Sequence, residues 1–156
     1  MVGRQLDEAR DMAGSTLYDR DFFAWANEQA GLLRAGRLSE IDLENVAEEI
    51  ESMGRSEKRE LVSRLTVLLL HLLKWEHQAA GRGNSWRLSI ANARDRLIEH
   101  LDDNPSLKSR LDAAVTSAYR YARREASVET NLPEATFPGT CPWSYDQIID
   151  AAFWPG

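Results

Sequence analysis

Three glutamates and one histidine are the residues of this chain whose types and spacing could do chemistry. Glu44, Glu48 and Glu51 stand four and three positions apart, so a helix puts them on one side, with Glu49 elsewhere. Like charges at that spacing repel by about 0.2–0.5 kcal/mol per pair. Solvent, the nearby Arg55, Lys58, Arg59 and Arg64, or a divalent cation must offset them. Further on, Glu57, Glu60, Arg64, His71, Lys74 and Gln78 fall in a narrow wedge of a helix that is otherwise almost wholly apolar. Polar groups on a buried helix need partners. If the two segments pack side by side, Glu44, Glu48, Glu51, Glu60, Arg64 and His71 form one polar and acidic cluster. His71, with a charge tunable near neutral pH, is the best candidate for a ligand or acid–base group. The plainer meaning of the same pattern is an ion-paired face.

Metal templates fit poorly. There is no Glu-x-x-His of the di-iron bundle kind and no His-Glu-x-x-His, and His71 and His77 are six apart, on different faces. No metal and no cofactor are expected; a bound cation would draw on Glu44, Glu48, Glu51 and His71. Glu48/Glu51 and Glu57/Glu60 faintly match the paired acidic motifs of magnesium-binding all-α nucleotide pyrophosphohydrolases, with a spacing shorter than that fold wants. Cys141 precedes the cap of the last helix, a place that favours a thiolate, yet no histidine is near it in sequence, and a packed thiol is the expectation. Arg82, Arg87 and Arg94, and Arg120, Arg123 and Arg124, make basic groups that a helix end or an acidic partner could use.

The elements that must position these groups are helical. Asp19 is placed as the cap of a helix over 20–35, with Phe22, Phe23, Ala26, Ala30 and Leu33 inward and Gly36 as the stop. Ser39 with Asp42 suggests a capping box for a second helix, whose apolar stripe is Leu43, Val46, Ala47 and Ile50 and whose stop is Gly54. Ser56 then caps a long third helix, apolar nearly all round and so destined for the centre of a bundle. Ser85 caps a fourth, carrying Ile90, Leu97, Ile98 and Leu101; a fifth runs from about 107 to 129; Ser144 with Gln147 opens a short last one to 153. No stretch alternates with period two. The fold expected is all-α, a single-domain bundle of five or six helices around a long central apolar helix, with 1–14 weakly ordered and 15–156 forming the domain.

Composition narrows the function classes. The chain has 156 residues, 43% hydrophobic and 28% charged, with net charge −6, which disfavours nucleic acid as a general partner. A single cysteine excludes an intrachain disulfide. The opening MVGRQLDEARDMAG is charged throughout, unlike a secretory signal, and the longest greasy run falls short of the ~20 residues of a membrane helix. A cytoplasmic protein with no membrane association is the expectation.

Several dense motifs are familiar as a set. YDRDFFAWANEQAGLLRAGR, IDLENVAEEIESMGRSEKRELVSRL, LLLHLLKWEHQ, SWRLSI, NPSLKSRL, FPGTCPWS and the closing FWP resemble a bacterial family catalogued as domain of unknown function 29, over about residues 18–155. Two departures are Ala79, where the family pattern suggests proline, and Asn131, where it suggests glycine; asparagine tolerates the left-handed backbone that a glycine would serve. The resemblance implies a helical fold. It assigns no substrate, cofactor or catalytic residue.

Five tryptophans, Trp25, Trp75, Trp86, Trp143 and Trp154, suit core anchors or a partner-binding patch. The reading that follows is a non-enzymatic helical protein-interaction domain, with an unidentified protein partner or a second copy of itself. Its alternative is a metal-dependent hydrolase acting on a small phosphorylated or nucleotide substrate, with the glutamates and His71 as its machinery.

Overall fold

Glycine decides where the first helix ends, and fails to decide where the second does. The computed structural model describes residues 17–156, so the expectation for 1–14 lies outside the described residues. After a helical turn at 17–20, α1 spans Phe22–Arg34. Its cap is Asp21 rather than Asp19, with the carboxylate accepting from the Ala24 N–H at 3.0 Å. Gly36 takes φ +69°, and the N–H groups of Gly36 and Arg37 return to the carbonyls of Leu33 and Leu32. That pair of bonds is the Schellman closure, and it needs a residue free to turn left-handed.

Gly54 does nothing of the kind. Residues Leu43–His77 form one helix, α2, of 35 residues. The expected stop at Gly54 and cap at Ser56 are therefore corrected. A glycine inside a helix costs about 1 kcal/mol relative to alanine, and good helix formers resume at once after it. Arg55 reaches back to Glu51 in an i,i+4 pair across the position. The Ser39 capping box is also absent: 38–40 make a short 3-10 turn, and Asp42 is the residue directly before the helix.

The described chain divides into two compact units, one ending at Arg55 and one spanning Ser56–Gly156, and α2 contributes to both. In the first unit α1 turns Trp25 and Gln29 inward, not Phe22, Phe23 and Leu33, which are exposed. The reason is polar anchorage. The Trp25 indole donates to Asp42 at 3.1 Å, and the Asp42 N–H donates to Gln29 at 2.8 Å. Tyr18 donates to Glu49 and stacks edge-on against Trp25 at 4.8 Å.

In the second unit, α2 is the central post that its leucines foretell. Leu61, Leu65, Leu68, Leu69, Leu72 and Leu73 are fully buried. Around them pack α3 (Asn84–Asp103), with Ile90, Ala93, Leu97 and Leu101, and α4 (Leu111–Thr130), with alanines at 114, 118, 122 and 126 on one stripe. α3 starts one residue before the expected Ser85 cap, after Gly83, and α4 is preceded by a 3-10 segment over Pro105–Arg110. Asn131 closes α4 at φ 57°, the left-handed turn that its side chain allows. The loop after it brings Phe137 and Trp143 into the core. Ser144 and Gln147 form the full capping box of α5 (Tyr145–Ile149), which ends before the expected 153. No strand occurs among the described residues, and none of their helices is long and apolar enough to cross a membrane.

Candidate functional site

The polar wedge of α2 has two sets of neighbours. Towards its C-terminal end, Lys74 pairs with Glu129 of α4 at 2.7 Å, and Gln78 donates to the Thr130 carbonyl at 3.4 Å. Nearer Ser56, the wedge borders a groove of about 620 Å³ shared with α3, where Glu60, Arg64 and His71 face Asn92, Arg96 and Glu99. Residues 60, 64, 67 and 71 of α2 and 89, 92, 96 and 99 of α3 have helical spacing, so two ridges make the walls.

Within that groove Arg64 is already engaged. Its Nε lies 2.8 Å from Glu60, an ion pair in which the N–H is not aligned on the oxygen, and its Nη1 donates to the Arg96 carbonyl at 3.2 Å. His71 is half-buried. Burial, and after it Lys74, push its imidazole below the ordinary value, while Glu129 pulls the other way. The ring is thus held neutral at physiological pH. The hydrogen bond expected for His71 is not found among the described residues. The other histidines are occupied differently: His100 is buried with Nε2 3.0 Å from the Glu57 carbonyl, and His77 packs edge-on against Phe137.

Glu44, Glu48 and Glu51 belong to the first unit, and Glu60, Arg64 and His71 to the second, on successive stretches of the same unbroken helix. The side-by-side helix pair that was to merge them does not exist, because the chain does not turn at Gly54. Arg55 serves the ladder instead, 2.6 Å from Glu48 and 3.8 Å from Glu51. Among the described residues no three His, Cys, Asp or Glu side chains stand close enough together to hold a metal ion. Asn92, Arg96 and Glu99 were missed from the sequence, and the signal was there: a polar i, i+4, i+7 row opposite the apolar face of α3.

A second cavity of similar size lies between α4 and the loop that follows it, walled by Tyr119, Arg123, Cys141 and Trp143. Burial pushes the Cys141 thiol up and the Tyr119 hydroxyl up to about 12. Neither is an activated nucleophile. Tyr119 donates to the Pro138 carbonyl at 2.6 Å and Arg123 to that of Phe137 at 3.3 Å, so these groups hold the loop down.

The other unusual surface is in the first unit. On α2, Leu43 and Ile50 are 67% and 59% exposed and Met53 is 61% exposed; Phe23 of α1 is 78% exposed. Leu43, Ala47 and Ile50 fall within a sector of about 60° at 3.6 residues per turn. Glu44, Glu48 and Glu51 run along one edge of that sector. Of the apolar stripe read from the sequence, Leu43, Ala47 and Ile50 are exposed and Val46 is half-buried. The exposed apolar side chains of the second unit, such as Leu88, Tyr121 and Val128, are scattered over its helices, as on any surface.

A family model described as domain of unknown function DUF29 matches residues 17–154. The chain belongs to the DUF29 family. No curated protein and no solved structure matches it. The motifs that mark a DUF29 chain are now physically legible. Trp75 of LLLHLLKWEHQ and Trp154 of FWP pack at 4.7 Å, and Arg87 of SWRLSI lies 5.1 and 5.2 Å from their two rings. Arg82 donates to the Trp75 carbonyl at 2.7 Å. Arg94, 2% exposed, donates to the carbonyls of Ile148 and Phe153 at 2.9 and 2.7 Å and lies 5.5 Å from the Trp154 ring. The DUF29 motifs of the second unit stitch the C-terminal segment onto α2 and α3, and Arg82, Arg87 and Arg94 of the basic residues read from the sequence take part in that stitching, while Arg123 holds the loop after α4.

Proposed function

We propose that this chain is a helical protein-interaction domain working through the uncovered apolar face of its first unit. The observation that carries this reading is the exposure of Leu43, Ile50 and Met53 on one helix whose leucines at 61, 65, 68, 69, 72 and 73 are fully buried further along. A contiguous exposed apolar strip costs solubility unless a partner covers it, and such strips mark contact surfaces. The groove beside His71 fits a catalytic role less well. Its Arg64 is paired with Glu60, and among the described residues its histidine has no hydrogen-bond partner to orient the ring as a base requires.

The test is site-specific photo-crosslinking in cells, with a photoreactive residue replacing Ile50 and, as control, the still more exposed Val128 of α4. Protein adducts at position 50 well above those at 128 are expected. Equal or absent adducts at 50 would remove the interaction reading.

A further inference from the structure

The net charge of the chain is not spread over it. Residues 17–55 carry nine acidic side chains against four arginines and no lysine, whereas 56–156 carry thirteen acidic and thirteen basic ones. The acidity of the described chain therefore resides wholly in the first unit, the unit that leaves its apolar stripe uncovered. Apolar sector and acidic edge coincide on α2: Leu43, Ala47 and Ile50 are bordered by Glu44, Glu48 and Glu51. Arg55 sits on that edge, paired with Glu48 and Glu51. On α1, Asp21 and Glu28 add to the same sign.

Resting on the interaction reading above, we propose that this face receives a basic amphipathic helix of a partner protein, with an apolar row against Leu43, Ala47 and Ile50 and lysines or arginines against Glu44, Glu48 and Glu51. The shape argument is the straightness of the stripe. Residues 43–53 of an α-helix run about 15 Å at 1.5 Å per residue, close to three helical turns and room for i, i+3, i+4 and i+7 anchors. The charge argument selects the partner. A second copy of this chain paired about a two-fold axis brings one acidic patch against itself: antiparallel, the glutamate edge meets its own image, and parallel, it meets the side of α2 that carries Asp42 and Glu49, so like charges cost affinity either way. A phosphate backbone or an anionic membrane meets the same repulsion. A basic helix neutralises the edge and covers the stripe at once, and the electrostatic part of its binding must weaken with salt.

The experiment titrates the full chain with three synthetic helical peptides that share one leucine row and differ only in their remaining positions: lysine, glutamine or glutamate. Fluorescence anisotropy reads the binding, and light scattering reads the mass of the chain alone. The lysine peptide is expected to bind at least tenfold more tightly than the glutamate peptide and to weaken severalfold from 0.1 to 0.5 M salt. Leu43→Ser with Ile50→Ser should abolish binding. Both side chains are exposed, so the double variant keeps its fold. Glu44→Gln, Glu48→Gln and Glu51→Gln together should erase the preference for lysine while leaving the shared apolar part. Equal binding of all three peptides through Leu43 and Ile50 would overturn the basic partner and leave the interaction reading standing. So would a dimer of the free chain that Ile50→Ser dissociates. Binding indifferent to Leu43 and Ile50, or no binding by any peptide, would also overturn it. Absence of protein adducts at position 50 in cells would take the broader reading down as well.

Discussion

Replacing Arg94 by methionine should loosen the C-terminal segment by about 3 kcal/mol. The guanidinium is nearly inaccessible and donates to two carbonyls, one in the last turn of α5 and one at Phe153, both of which lose their donor in the variant. Hydrogen bonds to a charged group contribute about 1.5–3 kcal/mol each, and a buried acceptor left alone keeps its desolvation cost. Two such bonds give roughly 3–6 kcal/mol. Against that stands the relief of no longer burying a charge whose nearest acidic influence, Asp150, is modest beside the burial that pushes the guanidinium down. The lower end of the range is therefore expected. Arg94→Lys keeps the charge but not the fork that spans two carbonyls, and should lose about half as much. Native-state amide exchange is the assay, since the segment can open without the rest unfolding. Protection across residues 145–154 should fall in Arg94→Met by a factor matching ~3 kcal/mol, with Trp154 fluorescence shifting in step. Exchange within 0.5 kcal/mol of wild type would refute the idea that this arginine holds the segment.

Four other outcomes follow from single positions. Gly54→Ala should raise stability by up to about 1 kcal/mol, because Gly54 lies inside α2 with nothing within 4 Å of an added Cβ. Gly36→Ala, at φ +69°, should lower it by about 1–2 kcal/mol; equal effects in urea melts would deny the difference between the two glycines. The folded-state pKa of His71 lies below its ordinary 6.5, so the unfolded chain takes the proton first. Stability should thus fall as pH drops through 6.5, and His71→Gln should flatten that part of the pH profile. Leu69→Ala, at a fully buried position of α2, should cost about 2–5 kcal/mol in the same melts.

The parts of the fold legible in the sequence were those set by local chemistry. Gly36 as a stop, Ser144 with Gln147 as a cap and Asn131 as a left-handed turn each act within a few residues, and each is found where read. The leucines of residues 61–73 could only be central. Gly54 misled because a glycine ends a helix only if the chain gains from leaving it, and the residues after it favour helix. The inward face of α1 misled for another reason. Phe22, Phe23 and Leu33 are apolar enough to be buried, but Trp25 and Gln29 have hydrogen-bond partners in Asp42 that decide the orientation, and those partners are 17 and 13 residues away. The groove followed suit. Glu60, Arg64 and His71 were read from their spacing, while the opposing Asn92, Arg96 and Glu99 depended on which helix packs beside α2.

The central claim is that the working surface of this chain is the acid-edged apolar face of α2 and not the groove beside His71. Methyl and amide NMR of the full chain, titrated with the lysine-rich helical peptide, tests it most directly. Shifts at Leu43, Ala47, Ile50 and Met53, with Glu60, His71 and Arg96 unmoved, are the predicted result. Shifts centred on His71 and Arg96, with the Leu43 and Ile50 methyls unmoved, would contradict it.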